Sequence, residues 1–265
     1  MSARGGALAD GIRRVRELGL SAMELEFVHG VRITPAAAAA VAAAAREANV
    51  RLTAHGPYYI NLNAVEPEKR EASVRRILET GRAVAACGGD SFTFHAAFNL
   101  KSPPEAVYPV VRDALRGIVA TLRKEGITAR VRPETTGKPV QFGSLEEILR
   151  LSTEVDGVAP CVDFSHLHAR SGGKVNTRKE FDAVLESVKT ALGAEALADM
   201  HIHVSGIEYG PKGELKHLML KESDLKYRDL LKSLRAAGAG GVVVCESPDM
   251  EADALLLQKL WKRMK

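Results

Sequence analysis

At 265 residues, 46% hydrophobic and 26% charged, the chain is long enough to bury one large core and has none of the composition of a disordered protein. Its formal net charge of +4 and pI near 8.9 tolerate a polyanionic partner without requiring one. Cys87, Cys161 and Cys245 are too few, and odd in number, for a disulfide framework. With no apolar signal core in MSARGGALADGIRRVRELG and no apolar run of membrane-span length, the expected setting is the cytoplasm, with no membrane partner.

Short β-rich runs alternate with longer helical patterns. A helix is expected at Ala7–Leu18 and a strand at Ala22–Val28. The helix Thr34–Ala48 opens on an N-cap threonine followed by Pro35 and continues almost wholly in alanine, the best helix former. A strand at Val50–His55, a helix at Glu66–Cys87, a strand at Ser91–His95, a helix at Pro104–Glu125 and a strand at Ile127–Glu134 follow. Ser144 starts a helix at Leu145–Glu154; then come a strand at Val158–Asp163, a helix at Thr177–Leu192 and a strand at Met200–Ser205. A helix at Lys221–Ala237, a strand at Gly241–Glu246 and a helix at Glu251–Met264 complete the series. Gly19, Gly88, Gly126, Gly193 and Gly238 each stand just past a helical run, as C-capping glycines do.

Strand–helix alternation implies a parallel sheet with right-handed crossovers. No linker, repeat or composition shift divides the chain, so residues 1–265 are expected to form a single α/β domain, a (β/α)8 TIM barrel. The pattern supplies eight helices but only seven strands. Met1–Gly6 is too short and too glycine-rich for the first strand, so that strand is absent or the native chain starts upstream. Its absence would leave the strands at Leu25 and Val243 beside an open seam, an edge that invites a partner chain and oligomerisation.

The strand ends carry the chemistry. RLTAH ends in His55, SFTFH in His95, ARVRPE in Glu134, APCVD in Asp163 and GVVVCE in Glu246, while MHIH places His201 and His203 on one side of a strand. In a barrel these ends converge on the face where active sites are built. A single histidine after a strand is more often a satisfied polar residue than a ligand, but that account does not cover the set. Several carboxylates and imidazoles packed together repel and desolvate one another without a cation. Mixed imidazole and carboxylate ligands suit Zn²⁺ first, with Mn²⁺ and Fe²⁺ as the alternatives, and their number is enough for two or three ions.

At these residues the chain resembles endonuclease IV, the apurinic/apyrimidinic endonuclease family of the xylose isomerase-like barrel superfamily. HGPYYINL at His55, FHAAF at His95, RPETTG at Glu134, CVDFSHLHA at Asp163 and His166, MHIHV at His201 and CESP at Glu246 are similar to its motifs. The resemblance implies that His55, His95 and Glu134 hold one zinc, and that Glu134, Asp163, His201 and Glu246 hold a second. It gives His166 to a third with an acid–histidine pair, which GELKHL supplies as Glu214 and His217 at wider spacing. His203 stands where the resemblance leads to an asparagine, behind the ligands. It further implies cleavage of the phosphodiester 5′ to abasic sites in damaged double-stranded DNA, with Glu134 or Glu246 orienting the attacking hydroxide. Tyr58 and Tyr59, with Arg32 behind them, are the residues expected to meet the DNA, ordinary loop packing being the equal alternative. Lys212, Lys216 and Lys221 lie near enough in sequence to meet phosphates, whereas Lys259–Lys265 with Trp261 reads as the solvated face and apolar anchor of the last helix.

Two other functions fit part of this pattern. A sugar isomerase or epimerase of the same superfamily needs one ion on a Glu–Asp–His–Glu set, which Glu134, Asp163, His201 and Glu246 also provide. A non-catalytic metal-binding barrel is the third reading. The histidines surplus to a one-ion site, His55, His95, His166 and His217, favour the nuclease.

Overall fold

The computed structural model describes residues 8–264. Met1–Gly6, where no first strand is expected, and Ala7, the expected start of the first helix, lie outside the described residues. The chain divides into two compact units, Met1–Glu134 with Glu154–Ala159, and Thr135–Thr153 with Pro160–Lys265.

The first unit runs α1 (Leu8–Glu17), β1 (Ala22–Glu26), α2 (Pro35–Ala48), β2 (Arg51–His55), α3 (Pro67–Ala86), β3 (Ser91–Phe94), β4 (Ala97–Phe98), α4 (Pro104–Lys124) and β5 (Arg130–Pro133). Strands β1, β2, β3 and β5 form a parallel sheet in that order. Period-two alternation sorts their side chains. Leu52, Phe92, Phe94 and Val131 are buried on one face, with the Phe92 and Phe94 rings 6.0 Å apart. Glu24, Thr53, His55, Thr93 and Arg132 alternate with them and are buried too, so this unit's second sheet face is polar and buried.

Its helices form where the sequence signals them. The Thr34 hydroxyl accepts from the Ala37 amide at 3.2 Å, closing the first turn of α2 ahead of the alanine run. Helix α3 lies close on its neighbours because residue 81 is glycine: a Cβ there would come within 3.1 Å of both Leu122 on α4 and Phe92 on β3.

The second unit contains β6 (Gln141–Phe142), α5 (Leu145–Glu154), β7 (Cys161–Asp163), α6 (Phe164–Arg170), α7 (Arg178–Leu192), α8 (Ala194–Ala198) and β8 (Met200–Val204). It continues through β9 (Gly206–Gly210), β10 (Gly213–Leu218), α9 (Tyr227–Ala236), β11 (Gly241–Cys245) and α10 (Met250–Arg263). Strands β11, β8 and β7 are parallel in that order, and β9 and β10 form an antiparallel hairpin. The apolar core gathers Val162, Phe164, Phe181, Val188, Ile202 and Leu230, with Phe164 and Phe181 edge to face at 5.8 Å. Trp261 packs against this core under the Arg235 guanidinium, 4.4 Å from its ring, so the apolar-anchor reading of the last helix holds.

All seven expected strands form, and the five expected C-capping glycines have positive φ. The strand expected at Val158–Asp163 is shorter, because Val158 only bridges Val131 before pairing resumes at Cys161. The β9–β10 hairpin and the short helices α6 and α8 were not expected from sequence. Helix α6 begins without a connecting loop, since Asp163 both ends β7 and caps the helix, accepting from the His166 amide at 2.7 Å.

Candidate metal centre

In the first unit, three consecutive strands of the sheet deliver His55, His95 and Glu134 to one place, where they form a group able to hold a cation. His55 ends β2, and His95 and Glu134 follow β3 and β5 by one residue. The Glu134 amide donates to the Phe94 carbonyl at 3.1 Å, which extends the ladder and fixes where the carboxylate begins. His55 Nδ1–H donates to the Gly56 carbonyl at 2.7 Å, leaving Nε2 to face Glu134 Oε2 at 3.2 Å. His95 Nε2 faces the other oxygen, Oε1, at 3.4 Å, and the Thr93 hydroxyl donates to Oε2 at 3.4 Å.

Glu134 and His55 are buried, so this carboxylate needs a positive partner. Without an ion that partner is a proton. Burial alone would push the His55 imidazolium down, but the Glu134 carboxylate, with Glu26 and Glu24 adding, outweighs it and raises His55 to about 10. A divalent cation answers the same need with more charge, and the Nδ1–carbonyl bond is the usual way a ligating histidine is held.

The second unit holds two adjoining groups. His166 Nδ1–H donates to the Thr135 carbonyl at 3.0 Å, and its Nε2 faces Glu214 Oε2 at 3.5 Å. His217 repeats the pattern: Nδ1–H donates to the Glu246 carbonyl at 3.1 Å, and Nε2 lies 3.9 Å from Glu214 Oε1. His166, Glu214 and His217 can therefore share a cation, and the wider Glu214–His217 spacing is absorbed by the β-bulge between Glu214 and Lys216.

Backbone of unusual closeness makes this group. Gly213 has φ +91°, and a Cβ on it would lie 2.2 Å from the Gly137 carbonyl oxygen. A Cβ on Gly137 would lie 2.7 Å from the Glu214 carboxylate and 3.1 Å from the His166 ring. The 136–141 segment is pinned by Arg170, whose Nη1 donates to Thr136 Oγ1 at 3.1 Å, the Lys138 carbonyl at 2.6 Å and the Gln141 carbonyl at 3.1 Å. Burial lowers the pKa of that guanidinium, partly opposed by Glu147. Sequence reasoning missed Gly137, Gly213 and Arg170; RPETTG, with its glycine three residues past Glu134, was the available signal.

Asp163, His203 and Glu246 form the adjoining group. Asp163 is level with His203 across the β7–β8 ladder, and the Glu246 amide donates to the Val204 carbonyl at 3.1 Å, bringing its side chain to His203. His203 Nδ1 is 3.3 Å from Glu246 Oε1. His201, expected as the ligand, is level instead with Cys161 and groups with Cys161 and His203. Both histidines share a strand face, as the spacing predicts, but the register puts His203 rather than His201 in the carboxylate layer.

The residues expected at DNA lie in the first unit. Tyr58 and Tyr59 are 62% and 58% exposed, large aromatic surfaces left to solvent in a folded loop. The Tyr58 ring centroid is 6.1 Å from that of His55, while Arg76 donates to the Tyr59 carbonyl at 3.1 Å and lies over its ring. Arg32 is exposed. Phe98, 37% exposed, adds a third aromatic that sequence reasoning did not single out; Asn63 fastens its loop by donating to the Phe98 carbonyl at 2.9 Å. Lys212 and Lys221 are exposed, whereas Lys216 is engaged by Glu208 at 3.1 Å.

The chain is 44% identical over 250 residues to an uncharacterized protein of Methanocaldococcus jannaschii, covering 94% of this chain and 90% of that protein. It is 28% identical over 161 residues to the probable endonuclease 4 of Latilactobacillus sakei, covering 58% of this chain and only 51% of the relative. Among solved structures, endonuclease IV from Thermus thermophilus superposes with a TM-score of 0.74 at 17% identity, over 97% of this chain and 95% of that one. The 3-keto-D-glucoside 4-epimerase of E. coli superposes with a TM-score of 0.69 at 19% identity, over 96% and 95%. At these identities the superpositions show the fold alone. The family model described as xylose isomerase-like TIM barrel matches residues 12–264, and the chain belongs to that family.

Proposed function

We propose that the chain is a multi-metal phosphodiesterase that cleaves damaged double-stranded DNA 5′ to abasic sites. The observation that carries this reading is the orientation of four histidines outside the Asp163–His203–Glu246 group. His55, His95, His166 and His217 each turn Nε2 towards a carboxylate, and His55, His166 and His217 give Nδ1–H to a backbone carbonyl. A one-ion enzyme has no use for two further histidine–carboxylate groups, whereas phosphodiester hydrolysis uses charge on both the attacking and the leaving oxygen.

Divalent ions held by these groups, zinc by the chemistry of the donors, would supply an activated water and positive charge against the phosphate. Glu134 or Glu246 would orient that water and take its proton. His55, His95 and Glu134 would hold the first site, His166, Glu214 and His217 a second, and Asp163, His203 and Glu246 a third. Tyr58, Tyr59 and Phe98 would present apolar faces to bases exposed at the lesion, with Arg32 against the phosphates.

The reading also draws on the partial similarity to probable endonuclease 4 sequences. The epimerase reading keeps its own support in the Asp163–His203–Glu246 set and the shared fold. The deciding assay uses a duplex carrying one abasic analogue, incubated with and without a chelator. A chelator-sensitive nick 5′ to the analogue is expected. An intact duplex over a wide range of protein, with epimerisation of a free sugar under the same conditions, would transfer the assignment to the second reading.

A further inference from the structure

The pair His201–His203 holds an arrangement that the Asp163–His203–Glu246 set leaves unexplained. The two Nε2 atoms are 3.2 Å apart and both rings are buried, with centroids 5.0 Å apart in an edge-on arrangement. Two imidazole nitrogens at that distance share one proton: one ring donates and the other accepts. The other nitrogen of His203, Nδ1, faces Glu246 Oε1 at 3.3 Å in the group with Asp163. Neutral His203 has one proton to place. On Nδ1 it donates to Glu246 and closes that position to a cation; on Nε2 it leaves Nδ1 bare, and His201 must accept.

We propose that His201 is a positioning residue: a neutral acceptor that holds the proton of His203 on Nε2 and so selects the tautomer whose Nδ1 can bind a divalent ion beside Asp163 and Glu246. Its place follows from the ladder. His201 is level with Cys161 and Val242, one side-chain layer beneath the Asp163–His203 level, where it lines up behind His203. The inference rests on the metal reading of the Asp163–His203–Glu246 group and adds to it which nitrogen ligates and what decides this. Ligating histidines as a rule give their second N–H to a carboxylate, a carbonyl or water, and here a second imidazole takes that part.

The test is long-range ¹H–¹⁵N correlation of the histidine rings in the full chain with ¹⁵N-labelled histidine, recorded before and after addition of zinc alone. The expected result is His203 with zinc on Nδ1 and a proton on Nε2, and His201 with its proton on Nδ1. Zinc on Nε2 of His203, or a proton on Nε2 of His201, would overturn the proposal while leaving the metal site standing. Zinc on Nε2 of His201 would assign the ion to the deeper Cys161–His201–His203 group and overturn it as well. No zinc-dependent change at His203 would remove the metal reading of this group, and the proposal with it.

Competition against a chromophoric chelator gives the second readout. His201→Leu should weaken zinc binding at this group by roughly 10–100-fold, the usual effect of losing an outer partner of a ligand. His201→Gln, whose amide oxygen can accept from His203, should restore most of the affinity. The His55–His95–Glu134 site serves as the internal reference and should be unchanged in both. Wild-type affinity in H201L, or equal loss in H201L and H201Q, would contradict the proposal.

Discussion

The histidine–carboxylate groups of the two units are alike in chemistry and unlike in construction. In the first unit, His55, His95 and Glu134 leave three strands of one parallel sheet, and the sheet itself sets their spacing. In the second, His166 comes from a helix that starts directly on β7, while Glu214 and His217 come from a bulged hairpin. That hairpin reaches its place only because Gly213 and Gly137 let two backbones approach closely. One site is thus built on a ladder and the other on loop geometry, and the second should be the easier to dismantle without unfolding the protein.

The sharpest way to break the comparison from the ladder side is Glu134→Gln, which removes the single carboxylate between His55 and His95. The ion of the first unit should be lost, and activity on an abasic duplex should fall by more than about 100-fold, beyond the effect of losing an outer partner of a ligand. Metal analysis should show the His166–Glu214–His217 ion retained. Losing all bound metal instead would mean that the sites do not load independently.

Acidity sharpens the same site. The pKa of His55 in the ion-free protein is raised from 6.5 to about 10, so the group is protonated at neutral pH and a cation must displace that proton. Zinc affinity of the first unit should therefore rise with pH, by about tenfold per pH unit between 6.5 and 10. The linked stability has the opposite sign. Because the folded pKa lies above the unfolded one, the contribution to the ion-free protein is complete below 6.5 and is lost as pH rises through about 10. Chemical denaturation across that window, with and without zinc, measures both; an ion-free stability that increases with pH would contradict the pairing.

From the loop side, Gly213→Ala places a side chain at φ +91° and 2.2 Å from the Gly137 carbonyl. The left-handed backbone alone should cost about 1–2 kcal/mol, and the ion at His166, Glu214 and His217 should be lost while the first unit keeps its own. Thermal unfolding together with metal content checks both parts. Narrower in scope is Tyr58→Ala, which should weaken binding to an abasic duplex by about 1–3 kcal/mol in a gel-shift titration and leave metal content unchanged. Binding equal to wild type would return Tyr58 to ordinary loop packing.

The contrast also explains what was legible in the sequence. Strand ends are local: RLTAH, SFTFH and ARVRPE announce both the strand and the residue that leaves it, so the first unit's group could be read from the chain. MHIHV was half legible. Alternation puts His201 and His203 on one face, but which of them meets Asp163 depends on the pairing of β8 with β7, a non-local fact. The hairpin that carries Glu214 and His217 was hidden because GIEYGPKGELKHL has charges and glycines where a hairpin signal would show clean alternation. Gly137 and Gly213 look like ordinary turn residues until the chain is folded, when they become the reason the two segments meet.

The central claim is that these groups hold several ions, and metal content per chain by inductively coupled plasma mass spectrometry tests it most directly. The account predicts two or three divalent ions, chiefly zinc, bound per chain after loading and removal of excess. One ion per chain, or none, would contradict it.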